Sequence, residues 1–265
     1  MFEVLGGNSL QQFILTCEKK DQRLNRKIGI FFNAWLMERL PAQLVDMFHQ
    51  GNENPFSLYV EVGRERVSFV VNVIDDSLAS AFRDILFTPT MTSLKFKQLK
   101  DIVFKVAERS ERHLSQTTLS RIFYQDEANG RFNIQVITPT AFKSQGRYQY
   151  LPDLRLFFQS LMRQYNHWFE GQDHIDVELL DEICKRTQIA GYRLHTERYE
   201  IHNAFLMGFC GNLVVQCRGT QTLKNYVQML LIFAEFSGVG AKTSLGMGGI
   251  RLRERDEKQS GKKKD

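Results

Sequence analysis

The order of predicted elements places this chain of 265 residues in the α+β class, as two tandem halves that each run β-α-β-β-α-β. Three observations carry that reading. Short segments that alternate apolar and polar residues, such as 131–138, read as half-buried strands. Longer segments with apolar residues three and four apart, such as 221–236, read as helices. The two kinds follow one another in the same order twice. With 43% hydrophobic residues, the chain has apolar matter enough for cores of domain size.

In the first half, residues 11–18 read as a strand. A helix over 24–40 follows, with Leu24, Ile28, Phe31 and Trp35 spaced along one face. Residues 55–61 and 66–73 read as two strands joined at 62–65 by a turn containing Gly63. Asp76 or Ser77 caps a helix to residue 85, and a strand at 100–108 closes the set. In the second half, residues 131–138 set Phe132, Ile134 and Val136 against polar neighbours. Pro152 opens a helix with Leu154, Phe157, Phe158, Leu161, Tyr165 and Trp168 on one stripe. A further helix at 175–186 reads as an insertion. Strands at 188–201 and 207–218, a helix at 221–236, a glycine-rich loop and a short last strand complete the order. Each half is a ferredoxin-like arrangement. The expected boundaries are a half at 1–110, a linker at 111–130, a half at 131–253 and a charged, disordered tail at 254–265.

Composition narrows the function classes. No apolar run approaches the roughly eighteen residues of a membrane span, and residues 1–7 lack the features of a secretory leader. The expectation is a cytoplasmic protein with no membrane partner. Cys17, Cys184, Cys210 and Cys217 form no C-x-x-C pair, and the odd spacing of the last two sends them to opposite strand faces. They read as buried free thiols, with no metal. Residues 251–265 carry seven basic and four acidic side chains, so +3 of the formal +5 lies there and only +2 on the body. Any site for nucleic acid must then be a local basic patch.

The segment 238–249 is the most informative, with Gly238, Gly240, Gly246, Gly248 and Gly249 around Lys242. Glycines accept positive φ and close backbone approach, and successive N–H groups can cradle phosphates. A Walker loop needs glycine before the Lys-Thr pair, where Ala241 stands, and it needs a preceding strand. A dinucleotide fingerprint fails at Thr243. A plain connection between a helix and a strand is the remaining structural alternative.

The run Phe236-Ser237-Gly238-Val239-Gly240-Ala241-Lys242-Thr243-Ser244-Leu245-Gly246-Met247-Gly248 resembles the C-terminal signature of the repeat-associated mysterious protein (RAMP) superfamily. Within it, the pattern Gly-apolar-Gly, five residues, Gly-apolar-Gly is similar to that of the CRISPR precursor-RNA endoribonucleases. Ile137-Thr138-Pro139-Thr140-Ala141-Phe142-Lys143, the later Pro152-Asp153 with its helix, and Gly208-Phe209-Cys210-Gly211 follow in the family's order. These matches span most of 131–250; the first half fits in its order of elements. The resemblance implies two ferredoxin-like halves facing each other across a basic cleft. It implies cutting of a long precursor RNA at one site per repeat, with neither metal nor cofactor. A deprotonated ribose 2′-OH attacks its own 3′ phosphate, leaving a 2′,3′-cyclic phosphate and a 5′-OH. CRISPR repeat RNA is the implied partner; effector-complex subunits and a second copy of the chain are others the family allows. The rival within the superfamily is a non-catalytic subunit that packs along guide RNA. It shares the halves and the loop, whereas His49 and the self-contained second half favour the enzyme.

That chemistry needs a general base, a general acid and positive charge on the phosphorane. Histidine suits proton transfer near neutrality. His49, after the first helix and before the second strand, stands where the family commonly carries its catalytic histidine. Some relatives carry another inside the first helix, where this chain has Asn33; Arg26, Lys27 and Tyr59 are further assisting candidates. His113, His167, His174, His195 and His202 read as structural or surface residues. For RNA, the candidates are Lys242 with the loop amides around Gly238, Gly240, Gly246 and Gly248, then Lys143 and Arg147 with Tyr148 to stack on a base. Arg64 and Arg66 flank the turn of the first-half hairpin.

Overall fold

The computed structural model describes residues 9–19, 24, 28–50, 54–99, 101–201 and 204–253. The first half runs β1 (Ser9–Glu18), α1 (Ile28–Met37), α2 (Ala42–Gln50), β2 (Phe56–Val62), β3 (Arg66–Val73), α3 (Asp76–Leu86), β4 (Ser93–Lys95) and β5 (Val103–Ser115). Its sheet is antiparallel in the order β2-β3-β1-β5-β4, the ferredoxin-like order with β4 added at one edge. The helix expected over 24–40 is described as α1 alone, and a second helix, α2, follows where none was expected. Pro41 disfavours helical backbone at Leu40, α1 ends at Met37, and the Pro41 carbonyl accepts the Leu44 amide at 3.0 Å to begin α2. The cap of α3 falls one residue earlier than expected, on Asp75, whose carboxylate accepts the Ser77 amide at 2.7 Å.

The expected linker at 111–130 holds the end of β5 and a helix, α4 (Gln116–Gln125). Ser115 caps it, and Leu119 and Ile122 bury themselves in the core of the second half. That half continues with β6 (Arg131–Thr140), a hairpin of β7 (Phe142–Ser144) and β8 (Arg147–Gln149), and α5 (Leu154–Tyr165) running into a π-helical turn at Asn166–Glu170. Then come α6 (Val177–Arg186), β9 (Thr187–Ile201), β10 (Ala204–Cys217), α7 (Gln221–Ser237), a 3₁₀ turn at Thr243–Leu245 and β11 (Ile250–Arg253). The second sheet has the order β11-β6-β10-β9, the same ferredoxin-like order as the first. No helix among the described residues is long and apolar enough to cross a membrane.

Each half buries its helices on one face of its sheet. In the first, Phe32, Phe69, Phe96 and Phe104 meet in tilted and edge-on pairs, with neighbouring centroids 5.0–5.6 Å apart along the chain of contacts. In the second, Phe157, Phe158, Leu161, Leu230 and Phe233 fill the space between α5, α7 and the strands. The other face of the first sheet is covered by the second half. Leu10, Ile74 and Leu114 reach into the second core, and Tyr59 and Val70 pack on Ile137.

A polar lock joins the halves around the C-terminal end of α7. Gln12 donates to Asn72 at 2.8 Å, Asn72 to Ser57 at 2.8 Å, and Ser57 to the Phe236 carbonyl at 2.9 Å. Glu235 accepts from Arg112 at 3.0 Å and from the Leu252 amide at 2.8 Å. Arg251 forks onto the Glu61 carboxylate at 2.7 and 3.3 Å. Among the described residues no buried side-chain polar atom lacks a hydrogen-bond partner, so the lock carries no desolvation penalty left uncompensated.

Candidate nucleic-acid interface

A cleft of about 800 Å³, open to solvent on one side, lies where the two halves meet. The first half contributes Asn33 and Met37 from α1, Phe48 from α2, then Asn54 and Phe56. The second contributes the β7–β8 hairpin, one face of α5 and loop residues 240–245. Lys143, Arg163 and Lys242 line it, and no carboxylate does among the described residues. A concave surface whose described lining holds three cations and no acid favours a polyanion.

The glycine-rich segment forms one wall, and its shape follows from how its backbone is tied down. The amides of Val239, Gly240, Ala241, Gly248 and Gly249 donate to Gly248 O, Ser160 Oγ, Ala141 O, Pro139 O and Thr138 Oγ1, at 2.8–3.1 Å. The Gly238 amide closes α7 onto Ala234. These N–H groups are committed to the protein's own oxygens, so they do not form the phosphate cradle expected from the glycine spacing. The glycines instead let the loop press against its neighbours. A Cβ at Gly246, where φ is +105°, would stand 2.1 Å from the Tyr199 hydroxyl and 3.3 Å from the Gly29 Cα of α1. Lys242 itself takes a left-handed conformation with φ of +63°, which turns the chain and leaves its side chain exposed.

Asn33 and Asn54 fasten this loop to the first half. Asn33 Nδ2 donates to the Ser244 carbonyl at 2.9 Å, and Asn54 Nδ2 to Ser244 Oγ at 3.1 Å. From the second half, the Tyr199 hydroxyl donates to the Leu245 carbonyl at 2.7 Å. Asn33 thus faces the cleft as a holder of the loop.

The β7–β8 hairpin turns through Gln145 and Gly146, both at positive φ, as a two-residue turn requires. Lys143 and Tyr148 are paired across it and point to the same face, into the cleft. Arg147 is exposed and, one residue out of phase, leaves from the opposite face. Arg163, which the sequence reading passed over, reaches the same cleft because Leu156, Gln159, Ser160 and Arg163 share one side of α5. That helical spacing was the signal for it.

His49 is the penultimate residue of α2, between Phe48 and Asn54, which both line the cleft. Its side chain, like Lys27 and Arg26, lies outside the described residues. Tyr59 does not open onto the cleft. It is buried between the halves, 3% exposed, and desolvation pushes its phenol up to about 12. A proton held that tightly is unsuited to transfer near neutrality. Arg64 and Arg66 are exposed at the far end of the β2–β3 hairpin, with Arg66 3.5 Å from Glu108. At about 3.3 Å per residue they stand roughly 23 Å along the strand from Phe56 and the cleft. The two remain outside the assembled site.

A family model described as CRISPR-associated endoribonuclease Cas6 matches residues 134–250. A Streptococcus thermophilus protein named CRISPR-associated endoribonuclease Cas6 is 37% identical over 249 residues, 94% of this chain and 100% of that relative. A Mycobacterium tuberculosis protein of the same name is 30% identical over 230 residues, 85% of this chain and 71% of its own. Among solved structures, a Cas6 product complex superimposes with a TM-score of 0.74 at 23% identity, over 93% of this chain and 100% of that one. Thermus thermophilus Cas6 does so with a TM-score of 0.69 at 21% identity, over 94% and 100%. The structural likenesses establish the fold of two ferredoxin-like halves, and the 37% identity over 94% of the chain establishes the family: this chain belongs to the CRISPR-associated endoribonucleases Cas6.

Proposed function

We propose that the protein cuts CRISPR precursor RNA within its repeats, without a metal ion, through attack of a ribose 2′-OH on the adjacent 3′ phosphorus. The cation-lined cleft between α2 and the glycine-rich loop, with no carboxylate among its described lining residues, is the observation that carries this reading. His49, at the end of α2, exchanges a proton with the 2′-OH or with the departing 5′ oxygen. As the new P–O bond closes the cyclic phosphate, the bond to the 5′ oxygen breaks and that oxygen leaves protonated. Lys242 and Lys143, which line the cleft, meet the charge on the phosphorane, and Tyr148 stacks on a base. Asn33 positions Lys242 through Ser244. On this reading repeat RNA fills the cleft, while effector-complex subunits or a second copy of the chain would meet other faces.

The test is single-turnover cutting of a labelled cognate repeat RNA in EDTA by wild type and by His49→Ala, with affinity measured alongside. The expected result is metal-free cutting by wild type and a variant slower by about 10²–10⁴-fold at nearly unchanged affinity. A variant that cuts normally removes His49 from the proton-transfer step. Wild type that binds the repeat and never cuts it would instead support a non-catalytic RNA-binding subunit.

A further inference from the structure

We infer that His195, Glu197 and Cys210 form a site for one divalent transition-metal ion of the zinc class, separate from the RNA cleft. The periodicity of β10 parts Cys210 from Cys217, but the strand register supplies Cys210 with other partners. In the β9–β10 pair Cys210 lies directly opposite His195, and Glu197, two residues on from His195, projects from the same face. One ligand atom from each of the three lies within 4.8 Å of the others, and His195 Nε2 is 3.8 Å from Glu197 Oε2. In a tetrahedral site with bonds of about 2.0–2.3 Å, ligand atoms stand roughly 3.3–3.7 Å apart. From separations of up to 4.8 Å the set therefore needs a contraction of about 1.1–1.5 Å at most, within rotamer adjustment of the two outer side chains.

The burial is graded as a bound ion would need. The Cys210 thiol is fully buried at the floor, the Glu197 side chain is 31% exposed, and the His195 side chain is 62% exposed at the mouth. An ion can enter from solvent, and the nitrogen, oxygen and sulfur set suits zinc, cobalt or nickel far better than magnesium or calcium. Three protein ligands leave the fourth position to water. The ion would pin β9 to β10 on the face that also carries Tyr199, four residues from His195, whose hydroxyl holds the glycine-rich loop. Its role is to brace the hairpin, with no part in the cutting reaction.

Cobalt(II) alone is the probe, titrated into the full-length protein in a buffer free of chelators and thiols. The expected result is saturation at one ion per chain with a thiolate-to-cobalt charge-transfer band in the near ultraviolet, displaced by zinc. Cys210→Ser should abolish the band. His195→Ala, at an exposed position that leaves the fold intact, should weaken binding at least tenfold, and Glu197→Gln should do so to a smaller degree. Added zinc should raise the thermal midpoint of wild type and not of His195→Ala. Cobalt bound without the sulfur band, or with an affinity unchanged by His195→Ala, overturns the site. So does binding that disappears on His167→Ala, which would place the ion at the surface pair His167–Asp173, 2.6 Å apart.

Discussion

Replacing the two cleft lysines, Lys143→Ala and Lys242→Ala, should change RNA affinity in a way that depends on salt. Both side chains are exposed in the cleft, on adjoining segments of the second half, with no carboxylate among the described lining residues to neutralise them. Each lysine that meets a phosphate releases about 0.7–0.9 counterion, so each loss should lower the slope of log K against log salt by that amount. Taking the contribution as vanishing near 1 M salt, each lysine is then worth roughly fivefold in affinity at about 0.15 M and roughly tenfold at about 0.05 M. The double variant should lose a slope of about 1.4–1.8 if the two contacts are independent. The assay is filter binding of the repeat RNA across a salt series, under conditions that prevent cutting. Arg64→Ala/Arg66→Ala provides the contrast, since those arginines stand roughly 23 Å along the strand from the cleft. The assignment of the cleft would be refuted if the arginine pair lowered the slope and the lysine pair did not.

Three further outcomes follow from the packing. Glu235→Ala removes the acceptor of both Arg112 and the Leu252 amide; with the half-exposed Arg112 discounted, urea unfolding should show a loss of about 2–3 kcal/mol, and Glu235→Gln a smaller one. Gly246→Ala forces a Cβ into the Tyr199 hydroxyl at a φ of +105° and should cost about 2 kcal/mol or more; adding Tyr199→Phe should recover part of it, because the hydroxyl is gone and the backbone strain is not. Burial pushes Tyr59, Tyr165 and Cys17 each up to about 12 from usual values of 10.0, 10.0 and 9.0. In that range the folded protein keeps these protons while the unfolded chain loses them. Stability should therefore be intact below about pH 9 and fall as pH rises from 9 to 12, by about 1.4 kcal/mol per pH unit for each group titrating only in the unfolded chain. Urea midpoints between pH 8 and 11 check the sign, which would be wrong if stability held level or rose.

The double β-α-β-β-α-β order was legible because its signals are local. β3 is a short run rich in valine and α7 carries an apolar residue every third or fourth position, so both fall within a residue of the expected bounds. α2 was missed because Pro41 reads as the end of a helix, whereas its carbonyl accepts the Leu44 and Val45 amides and starts another. α4 was missed because a charged, polar stretch between two strands resembles a linker, although Ser115 and the Leu119–Ile122 spacing marked a capped helix. The hairpin that delivers Lys143 and Tyr148 was not expected, although the Gln145-Gly146 pair at its turn was a signal for it. The deeper misreadings concern long-range packing. Tyr59 sits on a strand face that only the second half covers, and the glycine-loop amides find partners on β6 and α5, far away in sequence. Local periodicity holds no record of either contact.

The most direct test of metal-free transesterification is cutting, in EDTA, of a repeat RNA set in which successive nucleotides carry a 2′-deoxyribose. The account predicts cutting of every member but one, with 2′,3′-cyclic phosphate and 5′-OH ends; the uncut member, still bound, carries its deoxyribose just 5′ of the scissile phosphate. Cutting of every deoxy variant, or products with 3′-OH and 5′-phosphate ends formed only when magnesium is supplied, would contradict it.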